Sequence, residues 1–133
     1  MDGYIAKRTR GITLIELMIV LVIVAIMLGL AYPSYVDYVR KSKRGEAQQL
    51  LMNWSVNQEI WRSNNPQYAT LAQLGAPTHD EYTFTLPARS GTVYTLQAAA
   101  SGDQANDKAK NGDSCATLTL NQNGAKSPAA CWE

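Results

Sequence analysis

The stretch Arg10-Gly11-Ile12-Thr13-Leu14-Ile15-Glu16-Leu17-Met18-Ile19-Val20 decides how this chain is read. A leader carrying Lys7, Arg8 and Arg10 runs directly into an apolar segment whose single charge before Asp37 is Glu16. A carboxylate in hydrocarbon is costly, and an ionisable residue there is first read as functional. The segment from Ile12 to Tyr32 covers 21 residues, and as a helix it reaches roughly 30 Å, the thickness of a bilayer core. By the positive-inside rule the preceding basic residues keep the N-terminus cytoplasmic and send the remainder outward. Three readings fit. One is a secretory signal cut at the small-x-small sequence Gly29-Leu30-Ala31, although the apolar stretch is long for that and Glu16 interrupts it. Another is a plain single-pass anchor, which leaves Glu16 unexplained. The third is cleavage at Gly11 with the apolar helix retained in the mature protein.

Beyond this segment the chain divides into a stalk and a head. One helix is expected from Ile12 to about Asn64, kinked near Pro33 because proline removes an i→i−4 hydrogen bond. Its second half is amphipathic, with Ala47, Leu50, Leu51, Trp54, Gln58 and Trp61 at helical spacing, so the tryptophans are read as core anchors. Asn64-Asn65-Pro66 is a stop signal, and Thr70 is placed to cap a short helical turn ended by Gly75. Strands are expected over Tyr82–Leu86, Thr92–Ala98 and Cys115–Leu120, where polar and apolar residues alternate. Pro87–Gly91 reads as a hairpin loop and Asn121–Gly124 as a turn. Alternation implies one buried face, and the amphipathic helix is its available partner. The expected class is α+β: a long kinked N-terminal helix, transmembrane in its first half, packed on a small antiparallel sheet.

The run from Arg10 to Val20 resembles the prepilin motif of type IV pilins. The likeness continues at Pro33, where the family has a helix-kinking proline, through Ala31–Tyr35 and Arg40–Arg44, at Tyr68–Leu71 with Leu74-Gly75, and from Cys115 to Trp132. It spans nearly the whole chain, and its C-terminal pattern is similar to PilE-type pilins, many of them minor. Ile12 stands where the family usually carries Phe. The resemblance implies the third reading: cleavage after Gly11, N-methylation at Ile12, and a pilin fold. It divides the chain into a leader (1–11), a membrane and filament-core segment (12–32), the amphipathic half of the same helix (33–64), and a globular β-sheet head (65–133). It also implies a docking role for Glu16. Cleavage creates an amine at Ile12, and in a bundle of such helices the carboxylate of one subunit can meet the amine of its neighbour, so that each offsets the other's desolvation. The competing role for Glu16 is capping within its own helix or recognition by the leader peptidase.

Cys115 and Cys131 lie on the exported side, where disulfides persist. A bridge between them closes a loop worth about 3 kcal/mol in the chain-entropy account. A zinc or haem site would need more ligands than the lone His79 supplies. The overall charge is +1; a leader holding Asp2, Lys7, Arg8 and Arg10 contributes +2, leaving −1 from Ile12 onward. So balanced a chain predicts no large electrostatic grip on nucleic acid or acidic lipid. The cluster Arg40-Lys41-Ser42-Lys43-Arg44 could contact phosphates, but it lacks interleaved aromatics and can equally solvate the helix collar or line a filament groove. The loop Asp103–Asp113 gathers oxygen ligands without the spacing of a calcium loop, and Lys108 and Lys110 interrupt it; it reads as solvated. His79, Asp80 and Glu81 have no nucleophile context, and a lone loop histidine reads as exposed.

No enzyme, cofactor or metal is therefore expected. The expected function is a structural subunit, as a minor pilin, of a type IV pilus (fimbrium) supporting assembly, adhesion or twitching motility. The alternatives are a pseudopilin of a type II secretion system, or a pilin-borne receptor for DNA or a surface. Partners implied by the resemblance are other pilin subunits, a prepilin peptidase/N-methyltransferase and an inner-membrane assembly platform; nucleic acid is not expected among them. The implied location is the inner membrane of a Gram-negative bacterium, and then the extracellular pilus.

Overall fold

The computed structural model describes residues 11–133; the expected leader residues Lys7, Arg8 and Arg10 lie outside this range. A single helix, α1, runs over Leu14–Asn64 with Pro33 inside it. A second, α2, is one turn at Leu71–Leu74. Four strands follow, β1 (Tyr82–Arg89), β2 (Tyr94–Ala100), β3 (Thr117–Asn121) and β4 (Lys126–Ser127), forming one antiparallel sheet in the order β1-β2-β3-β4. The chain divides between Val36 and Asp37 into two compact units.

The first unit holds the apolar part of α1. Its best window has a mean hydropathy of 3.0 and is 0% buried, long and apolar enough to cross a membrane. Thr13 starts the helix: its hydroxyl accepts the Glu16 backbone N–H at 3.2 Å, satisfying one of the donors that a helix N-terminus leaves open.

In the second unit, the rest of α1 lies against the sheet. Ala47, Leu51 and Trp54 meet Tyr82 and Phe84 of β1, Tyr94, Leu96 and Ala98 of β2, and Leu118 and Leu120 of β3, all buried. The register puts like faces together, with Ala98 opposite both Phe84 and Leu118, and Leu96 opposite Leu120. Buried Gln58 fastens the chain after the helix, its side chain both accepting from the Ala69 N–H and donating to the Ala69 carbonyl. Asn65 and Ser63 donate to the last helical carbonyls, of Trp61 and Ile60, which ends α1 where Asn64-Asn65-Pro66 predicts. Thr70 precedes α2, its N–H and hydroxyl both reaching Gln73 Oε1, and Gly75 closes the turn at φ 67°.

The strand boundaries differ from expectation in all three expected strands: β2 runs over Tyr94–Ala100, two residues later than the expected Thr92–Ala98, and for β1 the reason is clear. β1 continues to Arg89, through what reads as a hairpin loop, because the register slips by one residue between Thr85 and Ala88. That bulge accommodates Pro87, which has no N–H to give a ladder. β3 starts at Thr117, two residues later than expected, and β4 is too short to leave a sequence pattern. Cys115 and Cys131 are joined, with their Cα atoms 5.7 Å apart, closing the tail against the start of β3.

The basic cluster of α1 does not face solvent as a patch. Arg44 and Asp107 form an ion pair at 2.7 Å with both side chains buried, and Arg44 also reaches the Lys108 carbonyl. Arg40 holds Asp103 through two hydrogen bonds, at 2.7 and 3.0 Å, and Lys43 pairs with Glu81. Between them, buried Gln104 donates to the Arg40 carbonyl and to the Tyr82 hydroxyl. The segment expected as a solvated loop is therefore a docking strip. Its first part is a 3₁₀ turn over Gly102–Asn106, and Gln104, Asp107 and Ala109 are all buried. Asp107 passes the anchorage on, since its carbonyl accepts from the N–H of Cys115.

Two predictions follow from these contacts. Removing one partner of a buried pair strands the other charge, so Arg44→Ala should cost the head about 3–5 kcal/mol, whereas the double change Arg44→Met/Asp107→Leu should cost far less. Urea unfolding of the full chain in detergent, followed by tryptophan fluorescence, measures both; equal losses would contradict a desolvated pair. The second concerns acid. The hydrogen bonds from Arg40 hold the Asp103 carboxyl below the usual range, and Lys43 does the same for Glu81. Carboxyls depressed in this way stabilise the folded head fully above their unfolded values of about 4, and that contribution is lost as pH falls through the lower folded ones. Thermal melts should accordingly show the parent losing more stability between about pH 5 and pH 2 than Asp103→Asn/Glu81→Gln. Parallel pH profiles would contradict the assignment.

Candidate functional site

The N-terminal device is built from Gly11, Ile12, Thr13 and Glu16. Gly11 and Ile12 precede the helix in irregular backbone, and both are exposed. One turn into α1 stands Glu16, whose carboxylate makes no hydrogen bond or ion pair among the described residues. Thr-x-x-Glu is a capping-box spacing, in which the Glu side chain would reach back to the Thr N–H. Only one arm of that box is made: the Thr13 hydroxyl takes the Glu16 N–H. Thr13, signalled in the sequence only by that spacing, makes its own arm of the box, and the carboxylate is left without a bond among the described residues. Around it the side chains of Ile12, Leu14, Ile15, Leu17 and Met18 are each more than half exposed.

Pro33 sits within continuous helix. Tyr32, Tyr35 and Tyr38 follow one another at intervals of three residues where the apolar run gives way to polar sequence, and all three are largely exposed.

The head offers other sequence-marked groups. His79 is not exposed: its ring is wedged edge-on against Tyr82, with centroids 5.5 Å apart. Its Nδ1 accepts the Glu81 backbone N–H at 3.1 Å, which leaves Nε2 to donate to Glu46 at 3.3 Å. The histidine therefore ties the loop before β1 to α1, and the acid–base set drawn from His79, Asp80 and Glu81 is taken up by structural contacts. At the far end of the helix face, burial pushes the Tyr94 hydroxyl up to about 12 while it meets Ser55 at 2.7 Å and Glu59 at 3.3 Å. Tyr68, edge-on to Tyr94, donates to the same Glu59 carboxylate. These are hydrogen-bonded joints between helix and sheet. Among the described residues no group of three or more His, Cys, Asp or Glu side chains is arranged to hold a metal ion.

Of the basic cluster, Arg40, Lys43 and Arg44 are committed to Asp103, Glu81 and Asp107, and Lys41 alone makes no ion pair among the described residues. Its three-and-four spacing puts those three cations on one helical face, a signal that could have identified them as tethers.

Comparison with known proteins agrees with this architecture. Residues 33–119 match the family described as "Type IV minor pilin ComP, DNA uptake sequence receptor". Residues 6–32 match the "Prokaryotic N-terminal methylation motif". Among characterised relatives, the type IV major pilin protein PilE1 of Neisseria gonorrhoeae is 33% identical over 100 residues, 70% of this chain and 45% of that protein. The type IV major pilin protein PilA of Myxococcus xanthus is 34% identical over 95 residues, 69% of this chain and 43% of that protein. The chain thus spans less than half the length of these relatives. A solved type IV pilin from Shewanella oneidensis superposes with a TM-score of 0.57 at 27% identity, covering 71% of this chain and 98% of its own. The non-core minor pilin PilV of Neisseria meningitidis shares the fold, with a TM-score of 0.55 at 22% identity over 68% of this chain and 87% of its own. An N-terminal motif and a head that match the same group of proteins, on a helix–sheet unit of the same fold, identify the chain as a member of the type IV pilin family, matching its ComP-type minor pilins.

Proposed function

We propose that this chain is a minor subunit of a type IV pilus, processed after Gly11 and assembled through its N-terminal helix. In that reading residues 1–11 are the leader, 12–32 the membrane and filament-core segment, 33–64 the amphipathic half of the helix, and 65–133 the head. Ile12 provides the new amine and is the site of N-methylation, with Ile in place of the family's usual Phe. Glu16 is the docking group, and Pro33 bends the helix. The observation that carries the proposal is the Glu16 carboxylate, which makes no hydrogen bond or ion pair among the described residues, in the first part of a helix whose large apolar side chains there are exposed. Such a group is costly in hydrocarbon unless a neighbour supplies the counter-charge. The amine of an adjacent subunit, created by cleavage four residues before the carboxylate, is that counter-charge. Its partners in this reading are other pilins, a prepilin peptidase/N-methyltransferase and an inner-membrane assembly platform. The family is one of structural pilins, and nothing in the head argues for catalysis.

The family description favours a further role as a DNA receptor within the same filament. Sequence charge speaks against it, as does the pairing of Arg40, Lys43 and Arg44 with Asp103, Glu81 and Asp107. The exposed cations without ion pairs among the described residues include Lys41, Lys108, Lys110 and Lys126, the last lying over the Trp132 ring.

Two experiments test these readings. Glu16→Ala should still be processed, but its abundance in sheared filaments should fall about tenfold or more, the scale of one lost charge pair; undiminished incorporation would contradict the docking role. For the receptor reading, the full chain in detergent should retain duplex DNA, with an affinity that falls by about 0.9 in log–log slope per phosphate contacted as salt rises. Absence of retention at about 50 mM salt would remove the receptor role and leave the filament role standing.

A further inference from the structure

A groove of about 890 Å³ lies wholly within the second unit, between α1 and the strip that follows the first 3₁₀ turn. Its cations are Arg40, Lys41 and Arg44 from the helix, and Lys108 and Lys110 from the strip. Its carboxylate side chains are Asp37, Asp107 and Glu133, so five cations face three anions and the lining carries +2. Asp103 stands outside that lining but holds Arg40, which lowers the local balance to +1. The one charge of Arg40 is thereby shared between Asp103, at 2.7 and 3.0 Å, and Asp37, at 3.3 Å. Lys41, Lys108 and Lys110 make no ion pair among the described residues.

The two arginines of the groove are held in different ways. The side chains of Arg44 and Asp107 are only 6% and 4% exposed, so parting them strands a charge away from water. Asp103 is 70% exposed and Arg40 19%, and an exposed pair shifts an equilibrium by about fivefold at most. Releasing Asp103 does not require its turn to move. The next residue, buried Gln104, donates to the Arg40 carbonyl and to the Tyr82 hydroxyl, which keeps Gly102–Asn106 docked while the Asp103 side chain rotates into solvent. Arg40 meets both oxygens of Asp103 through Nε and Nη2. A guanidinium fork that takes a carboxylate in this way offers the same two N–H groups to a phosphate. Asp103 therefore presents to Arg40 the charge and the paired oxygens of a phosphate group.

We propose, on the footing of the DNA-receptor reading, that Asp103 is an autoinhibitory ligand of Arg40, displaced by a backbone phosphate of duplex DNA as it enters the groove. Arg40 then grips the phosphate, while Lys41, Lys108 and Lys110 add charge without giving up an ion pair. The contact lowers DNA affinity, because only the fraction of molecules whose Arg40 is free can bind. It also selects the kind of anion. A single small anion gains little by displacing Asp103, whereas a chain of phosphates adds the lysine contacts in the same event.

Fluorescence anisotropy of a labelled DNA duplex with the full chain in detergent, at about 50 mM salt, provides the test. Four chains are compared: the parent, Asp103→Asn, Arg40→Gln and the double change. Asp103→Asn should bind DNA about fivefold more tightly than the parent. That gain should vanish when Arg40 is replaced by Gln in both chains. The tie from Gln104 ends on the Arg40 carbonyl, so Arg40→Gln keeps the turn in place. An equal gain with and without Arg40 would reduce Asp103 to one more negative charge and overturn the proposal. Equal affinity of the parent and Asp103→Asn would overturn it too, with the receptor reading left intact. No binding by either of those two chains would remove the receptor reading and this inference together.

Discussion

A helix of bare apolar side chains cannot remain in water, and everything else about this molecule is arranged around that constraint. From Ile12 to Leu30, fifteen large hydrophobic side chains are between 46% and 77% exposed. At about 1.5 kcal/mol for each one withdrawn from water, their burial is worth about 20 kcal/mol, more than the 5–15 kcal/mol that usually holds a whole domain folded. No rearrangement of a small head could supply a cover of that size. The segment needs hydrocarbon or other helices like itself. Both environments punish an isolated carboxylate, so the presence of Glu16 is informative only if something pairs with it. The Thr13 hydroxyl takes the Glu16 N–H, and the return bond from the Glu16 carboxylate to the Thr13 N–H is not made, so the carboxylate does not cap its own helix.

The head solves a different problem, which is to hold a modest core together while one wall of that core is a helix continuous with the apolar segment. Apolar contact alone is thin, since the helix contributes chiefly Ala47, Leu51 and Trp54. Charged and polar ties supplement it along the helix face. Arg40, Lys43 and Arg44 engage Asp103, Glu81 and Asp107; His79 reaches Glu46; Gln48 donates to the Cys131 carbonyl; and Ser55 and Glu59 meet Tyr94. The Arg44–Asp107 pair is the most consequential of these. It is the buried one, and through the Asp107 carbonyl it fixes Cys115, hence one end of the disulfide.

Much of this was legible in the sequence, because it rests on local patterns. The apolar run, the stop at Asn64-Asn65-Pro66, the small helix between Thr70 and Gly75, and the alternation of Tyr94, Leu96 and Ala98 each follow from residues close together in the chain. What could not be read locally was pairing over distance. Arg40 and Arg44 meet carboxylates 63 residues away, and Lys43 meets one 38 residues away. A basic run with no visible partner reads as a surface patch, and an acidic loop with no visible partner reads as solvated. Each is the other's answer. Pro87 misled for the opposite reason: proline ordinarily ends a strand, and only the neighbouring strand's register reveals the bulge that lets β1 continue. In the candidate site, Gly11, Ile12 and Glu16 stood out at once, whereas Thr13 gained its role only when the helix start was seen.

We propose that the exposed apolar helix, with a Glu16 carboxylate unpaired among the described residues, belongs to a processed subunit whose new N-terminus pairs with Glu16 of a neighbour. The mass of the mature N-terminal peptide tests this most directly. The account predicts a chain that begins at Ile12, with its amine carrying a methyl group when the methylating activity is present. A chain beginning at Tyr32, cut after Gly29-Leu30-Ala31, would contradict it by discarding the helix. An intact Met1 would contradict it equally, since no amine would then exist at Ile12 for Glu16 to meet.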